Sequence, residues 1–128
     1  MLSRRSVLIA ALATSCVALQ TAASPQAFDD NAFAEAQKAG KPILIAIHAS
    51  WCPTCKAQKP ILSELMADPK FKNLVYFVVD FDSQKNLVMR FGARLQSTLI
   101  VFKGDKEEGR SVGDTNRASI AALLNKAL

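Results

Sequence analysis

The feature that most constrains the fold is an uninterrupted apolar run from Ile43 to Ile47, which stops shortly before a closely spaced pair of cysteines. A strand with one face in water alternates apolar and polar side chains, so a continuous apolar run predicts a strand that is buried on both faces. Such strands lie in the middle of sheets that carry helices on both sides. The run therefore predicts an α/β domain, and a chain of 128 residues has room for one.

The other elements follow from helical or strand periodicity and from cap and turn residues, and their predicted order is α-β-α-β-α-β-β-α. This order gives a central sheet of about four strands flanked by helices. The first half contains a helix Asn31 to Ala39 capped by Asp29 or Asp30, the strand Ile43 to Ile47, and a helix Cys52 to Met66 interrupted by Pro60. A strand Leu74 to Val79, a helix from a Ser83 cap to Phe91, and a hairpin of strands Thr98 to Phe102 and Gly109 to Val112 follow. A last helix is capped by Asp114 or Thr115 and has Ile120, Leu123, Leu124 and Leu128 on its apolar face.

The first 23 residues differ in composition from the rest and are predicted to be a secretory signal peptide. A basic start at Arg4 and Arg5 precedes an apolar stretch from Val7 to Leu19, which is shorter than the roughly 20 residues of a membrane-spanning helix. The stretch around the two arginines also resembles a twin-arginine export signal, so both export routes stay open. Cleavage is expected after Ala23 or Ala27, and the mature protein is expected in the periplasm.

A lipoprotein signal ending at Cys16 is a further interpretation, but Ala13 stands where such signals usually carry leucine. We therefore do not expect a lipid anchor. Removal of the signal would also remove Cys16 and leave two cysteines in the mature protein.

The charge does not point to a nucleic-acid partner. The whole chain has a formal net charge of +5, but residues 24–128 hold fourteen basic and eleven acidic side chains, which leaves +3. Basic and acidic residues alternate along this part, as is typical of a solvated surface.

The pair Cys52-Pro53-Thr54-Cys55 lies where the buried strand gives way to a helix. The free amide groups and the positive dipole end of a helix N-terminus favour a thiolate at Cys52, which makes it nucleophilic at neutral pH. Three positions bring both sulfurs to one side of the first turn, so Cys52 is predicted to attack a substrate disulfide and Cys55 to resolve the mixed disulfide. The reaction needs no cofactor beyond the redox-active Cys52–Cys55 disulfide.

The alternative for this spacing is half of a zinc site, which needs two more ligands. His48 is the one obvious third ligand, so redox chemistry is favoured and no metal is assigned. The role of His48 stays open between packing beside the loop, tuning the Cys52 thiolate and binding a metal, and Lys56 is a second candidate for tuning. Trp51 is predicted to shield the disulfide and to offer an apolar edge to a partner. Pro53 suits a first helical position.

The segment Ala49-Ser50-Trp51-Cys52-Pro53-Thr54-Cys55-Lys56, with Pro60 and the later stretch Thr98 to Lys103, resembles the thioredoxin family over about residues 28–128. The resemblance implies the thioredoxin fold, with the active site at the carboxyl ends of the parallel strands. It also implies an active-site loop and an apolar substrate groove, whose residues here are Trp51, Pro53, Thr54, Gln96, Ser97, Thr98 and Gly113.

Three departures from the family pattern are visible in the sequence. Ala46 occupies the position of the family's buried acid, so proton transfer at Cys55 must use water or another group. Ser97 occupies the position of the family's cis-proline, and because a non-proline cis bond costs roughly 2.5 to 4 kcal/mol, the Gln96–Ser97 bond is predicted to be trans. The lost proline ring could leave space for a metal ion or a wider substrate.

The domain lacks room for the insertions of the oxidase and isomerase branches, so it resembles the minimal reductase type. We expect a monomer that takes electrons from a membrane thiol donor and reduces oxidised exported proteins. A second hypothesis is a copper-handling module that uses Cys52, Cys55 and His48. A third is a redox-inactive scaffolding domain, which the retention of both cysteines disfavours.

Overall fold

A five-stranded mixed sheet forms the centre of the protein. The computed structural model describes residues 22–128. Along the chain the elements are β1 (Pro25–Ala27), α1 (Asp30–Lys38), β2 (Pro42–His48), α2 (Pro53–Met66), a 3-10 turn (Pro69–Phe71), β3 (Val75–Asp80), α3 (Lys85–Arg90), β4 (Thr98–Lys103), β5 (Lys106–Val112) and α4 (Arg117–Asn125).

The strand order is β1-β3-β2-β4-β5. Strands β1 and β2 both run parallel to β3, whereas β4 is antiparallel to β2 and to β5. The expected mixed sheet is therefore confirmed, but the expected count of about four strands was one too low.

The missing strand is β1, which pairs Gln26 with Phe77 of β3. All three of its residues are exposed, so it has no apolar alternation that could reveal it in the sequence. It is an edge strand, and its backbone pairing with β3 is what defines it.

The sheet has a core on each face, as the apolar run of β2 predicts. On one face Leu44 and Ala46 pack in a cluster with residues of α2 and α4. On the other face Ile43, Ile45 and Ile47 pack with residues of α1 and α3. Successive side chains of a strand point to opposite faces, so a strand covered on both sides must be apolar at every position.

Two predicted helix caps were wrong. The hydroxyl of Ser83 donates to Asp80 instead of capping α3, which follows Gln84 without a side-chain cap. Helix α4 is capped by Asn116, whose side chain accepts from the amide of Ser119. Asp114, Thr115 and Asn116 are all good cap formers, so the sequence did not distinguish between them.

Leu128 was also misassigned. It lies beyond the end of α4 and is exposed, whereas Ile120, Leu123 and Leu124 are buried as predicted.

The predicted signal peptide lies almost wholly in residues 1–21, outside the described residues, and this includes Cys16. Within residues 22–128, no helix combines the length and the apolar character needed to span a membrane.

Candidate active site

The cysteine pair lies at the start of α2, at the edge of the sheet where β2 and β3 end. Cys52 is the N-cap residue of α2, and its sulfur accepts a hydrogen bond from the backbone amide of Cys55 at 3.2 Å. Pro53 takes the first helical position, where an amide hydrogen would have no intrahelical partner. The sequence thus places one sulfur against the free amide groups of the helix and the second one turn further on.

Both sulfurs are almost fully covered. Cys52 is 1% exposed and Cys55 is 2% exposed, both are free thiols, and they cluster with Ala49 and the edge of Phe81. The half-buried side chain of Gln96 lies in the loop before Ser97 and favours the thiolate form of Cys52, which lowers the pKa of Cys52.

The two thiols differ in pKa. Burial opposes ionisation of Cys52, but hydrogen bonds from the Cys55 thiol, from the hydroxyl of Ser97, from the Cys55 amide and from Gln96 outweigh it and lower the pKa of Cys52 to about 7. Burial raises the pKa of Cys55, and the hydrogen bond that its thiol donates to Cys52 raises it further. Above about pH 7 most molecules therefore hold a thiolate at Cys52 and a proton at Cys55.

Ser97 lies between the two sulfurs. Its hydroxyl oxygen is 3.2 Å from the Cys52 sulfur and 3.1 Å from the Cys55 sulfur, and the residue is 2% exposed. The Gln96–Ser97 bond is trans, as predicted. The Ser97 hydroxyl thus occupies the position between the two sulfurs, and the hypothesis that the lost proline ring leaves space for a metal ion or a wider substrate stays a prediction.

Gln58 is a site residue that sequence reasoning missed. It is 4% exposed on the inner face of α2, three positions after Cys55. Its side-chain amide donates to the carbonyl of Ser97 at 3.2 Å and to that of Asp114 at 2.8 Å, which ties α2 to the loops before β4 and α4. A polar residue among the buried positions of a helix was the signal that could have revealed it.

Trp51 is held in place although 55% of it is exposed. Its indole nitrogen donates to a carboxylate oxygen of Asp82 at 2.7 Å. Leu95 and Val112 are exposed apolar side chains that line one shallow depression beside β4 and β5. Trp51 therefore lies toward the loop that follows β3, whereas Leu95 and Val112 lie at the edge of the sheet where β4 begins and β5 ends.

The other residues expected in the groove fall into two groups. Gln96 and Gly113 adjoin Ser97, and the amide of Gly113 donates to the Ser97 carbonyl at 3.0 Å. Thr98 is buried and its hydroxyl donates to the carbonyl of Leu95, so it faces the loop. On α2, Thr54 is half-buried and Lys56 is exposed.

His48 lies half-buried at the end of β2. It lines a cavity of about 120 Å³ together with Cys55, Ala46 and Lys59. Burial lowers the pKa of His48, Lys59 lowers it further, and Asp80 opposes both. Among residues 22–128, no three histidine, cysteine or acidic side chains form a group that could hold a metal ion, so His48 does not complete a site with the cysteines.

These observations define a class of protein. A mixed sheet with helices on both faces places a dithiol at a helix N-terminus, with one sulfur ionised near neutral pH and the other protonated. This arrangement is that of a thiol-disulfide oxidoreductase.

Comparison with known proteins identifies the family. The thioredoxin family model matches residues 24–126, and the chain belongs to the thioredoxin family. It is 33% identical to a thioredoxin of Acidithiobacillus ferridurans over 100 residues, which cover 78% of this chain and 92% of the relative. It is 32% identical to a thioredoxin of Pseudomonas aeruginosa over 88 residues, 69% of this chain and 81% of the relative.

Comparison with solved structures also supports this family. The crystal structure of Trxlp from Edwardsiella tarda superposes with a TM-score of 0.76 at 39% identity, over 79% of this chain and 98% of the other. The thioredoxin NaTrxh of Nicotiana alata, at 23% identity, shares the fold with a TM-score of 0.71 over 84% of this chain and 95% of the other. Members of this family act on oxidised proteins, and the relationship supports thiol-disulfide oxidoreductase activity for the present chain.

Proposed function

We propose that this protein is an exported reductase that cleaves disulfides of exported proteins. The observation that carries the proposal is the unequal pair of thiols, with the pKa of Cys52 lowered to about 7 and that of Cys55 raised. A reductase needs one sulfur that attacks at neutral pH and a second that stays protonated until the mixed disulfide has formed.

The reaction has two steps. The Cys52 thiolate attacks one sulfur of the substrate disulfide, a bond forms between them, and the other substrate sulfur leaves with the electron pair. Cys55 then attacks the Cys52 sulfur, the bond to the substrate breaks, and the protein is left with a Cys52–Cys55 disulfide. The substrate has gained two electrons and the protein has lost two.

The ionisation of Cys52 supports the reducing direction. The more a protein stabilises its thiolate, the more oxidising its disulfide becomes, and the thiols of the most oxidising family relatives ionise near about pH 3.5. A pKa of about 7 belongs to the reducing end of that range. The reduction potential of the pair tests this inference. We expect a value below about −230 mV, and a value above about −180 mV would reverse the direction of electron flow.

Insulin reduction by the purified domain, with a chemical thiol as electron donor, tests the activity. We expect the wild type to precipitate insulin chains well before the thiol alone does, and Cys52→Ser to remove this acceleration. Cys55→Ser should instead form a mixed disulfide that persists, because Cys52 can still attack but nothing resolves the product. A wild type that is no faster than Cys52→Ser would refute the proposed activity.

Export is the second part of the proposal, and it includes a monomeric protein re-reduced by a membrane thiol donor. It rests on the basic start and apolar stretch of residues 1–23. Of the two expected cleavage positions we favour Ala23, since cleavage after Ala27 would remove all of β1 and its pairing with β3.

The mass of the mature protein, recovered from fractionated cells of a Gram-negative host, tests export. We expect a periplasmic chain that begins at Ser24. A full-length chain in the cytoplasm would contradict export, and a chain that begins at Phe28 would contradict the choice of cleavage position.

A further inference from the structure

The hydroxyl of Ser97 contacts both reacting sulfurs, at 3.2 Å from Cys52 and 3.1 Å from Cys55. A serine hydroxyl has one proton to donate and lone pairs that accept. With a thiolate at Cys52 and a thiol at Cys55, the Ser97 hydroxyl donates to the Cys52 sulfur. The one proton of the Cys55 thiol faces both the Cys52 sulfur and the Ser97 oxygen, which is 3.1 Å away and can accept it. The three groups form a continuous path for a proton.

The backbone of Ser97 is held where this path requires it. The residue has a φ of 62°, a left-handed conformation that non-glycine residues rarely adopt. Its amide donates to the carbonyl of Ile47 at 2.8 Å, and its carbonyl accepts from Gly113 at 3.0 Å and from Gln58 at 3.2 Å. Strained residues persist only where the surroundings fix them, and they concentrate at functional sites.

The charged groups nearby do not offer an equivalent route. His48 and Lys59 line the cavity beside Cys55, and the charge of Asp80 raises the pKa of His48. The Asp82 carboxylate accepts a hydrogen bond from Trp51. Within residues 22–128, the one side-chain oxygen or nitrogen at hydrogen-bond distance from the Cys55 sulfur is that of Ser97. Ala46 lines the same cavity as Cys55, and its side chain cannot take a proton.

We propose that Ser97 is a catalytic residue that relays the proton of Cys55 to the departing substrate sulfur when the mixed disulfide is resolved. The inference rests on the proposed reductase function. Cys55 attacks the Cys52 sulfur and forms the intramolecular disulfide, while the bond from Cys52 to the substrate breaks and its electron pair goes to the substrate sulfur. The Cys55 proton passes to the Ser97 oxygen and the proton of the hydroxyl passes to the substrate sulfur. The substrate leaves as a thiol, and Ser97 is restored.

The second transfer runs along the bond that breaks. The Ser97 oxygen is 3.2 Å from the Cys52 sulfur, which is one end of that bond. The substrate sulfur at the other end is about 2 Å from the Cys52 sulfur, on the side away from Cys55, so the Ser97 hydroxyl must turn toward it for the transfer.

The test compares Ser97→Ala with the wild type on two disulfides, one that releases an alkyl thiol and one that releases an acidic aromatic thiol. Reactions are quenched with acid at short times, and the mixed disulfide is quantified by mass spectrometry. An alkyl thiolate needs a proton to leave well, whereas an aromatic thiolate does not. We therefore expect resolution of the alkyl mixed disulfide to slow by about 100-fold in Ser97→Ala, and that of the aromatic one to slow far less.

Two further variants serve as controls for the Ser97→Ala experiment. Ser97→Gly also lacks the hydroxyl but adopts a positive φ freely, so it should show the same selective slowing even if Ser97→Ala folds poorly. Ser111→Ala makes the same substitution on β5, where the hydroxyl has no partner among the described residues, and should match the wild type.

Equal slowing on both disulfides would show that Ser97 only positions the cysteines, and no slowing would show that another group moves the proton. Either result overturns the relay while leaving the reductase function intact. A wild type that reduces neither disulfide would instead overturn the proposed function itself.

Discussion

Gln58 offers the sharpest structural test of how the site is held together. Its side chain is buried between α2 and two loops, and it donates one hydrogen bond to Ser97 and one to Asp114. The substitution Gln58→Leu keeps a side chain of similar size on the inner face of α2 and removes both donors.

The expected cost follows from the two lost hydrogen bonds. Each contributes about 0.5 to 1.5 kcal/mol net, and a carbonyl left without a partner costs about 1 to 3 kcal/mol when it is fully buried. The Ser97 carbonyl keeps its bond from Gly113, and the Asp114 carbonyl is only partly buried, so the lower end of that range applies. We expect the free energy of unfolding to fall by about 2 kcal/mol, which corresponds to a fall in Tm of roughly 10 °C for a domain of this size.

The assay is urea unfolding of the reduced protein followed by circular dichroism. Gln37→Leu is the matched control, since it makes the same change at a half-buried position of α1 near the opposite end of β2. It should shift stability by no more than about 0.5 kcal/mol. If Gln58→Leu unfolds at the same urea concentration and with the same slope as the wild type, the two hydrogen bonds do not hold the site, and the reasoning fails.

Three further predictions concern the same site. Ser97→Pro should destabilise the protein by more than about 2 kcal/mol in urea unfolding, because proline cannot adopt a φ of 62° and lacks the amide hydrogen that Ser97 donates to Ile47. A variant as stable as the wild type would show that the loop can take the cis-proline form of the family. Trp51→Phe should lower the free energy of unfolding by about 1 kcal/mol or less, because it removes the hydrogen bond to Asp82. It should raise KM for a protein substrate less than Trp51→Ala does, since phenylalanine keeps an apolar ring. Equal KM values for the two variants would contradict contact between the ring and the substrate. Relative to Cys52→Ser, the reduced wild type should gain stability as the pH rises from about 6 to 9. A thiol whose pKa is lowered on folding stabilises the protein above its unfolded pKa, and this contribution is lost as the pH falls through its folded pKa. A stability difference that does not change with pH would mean that folding does not change the pKa of Cys52.

The sequence was sufficient where the determinants are local. The apolar run of β2 predicted a strand covered on both faces, and Pro53 with the two cysteines predicted the start of α2 to within one residue. Strand β1 was missed because nothing in its three exposed residues distinguishes it from a loop, and its conformation comes from pairing with β3 about 50 residues later.

The site itself depended on long-range placement. The replacement of the family proline by Ser97 was visible in the sequence, but the hydroxyl between the two sulfurs comes from a loop more than 40 residues after the cysteines. The partners of Gln58 lie 39 and 56 residues away. No local periodicity reports contacts of this kind, so the sequence predicted which residues react but not which residues hold them.

The pH dependence of Cys52 alkylation shows whether the start of α2 stabilises the Cys52 thiolate. The reduced protein is treated with iodoacetamide over a range of pH, and the modification of Cys52 is followed by mass spectrometry. We expect a rate that rises with an apparent pKa of about 7. A rate that rises only around pH 8.5, as for an unperturbed cysteine, would contradict it.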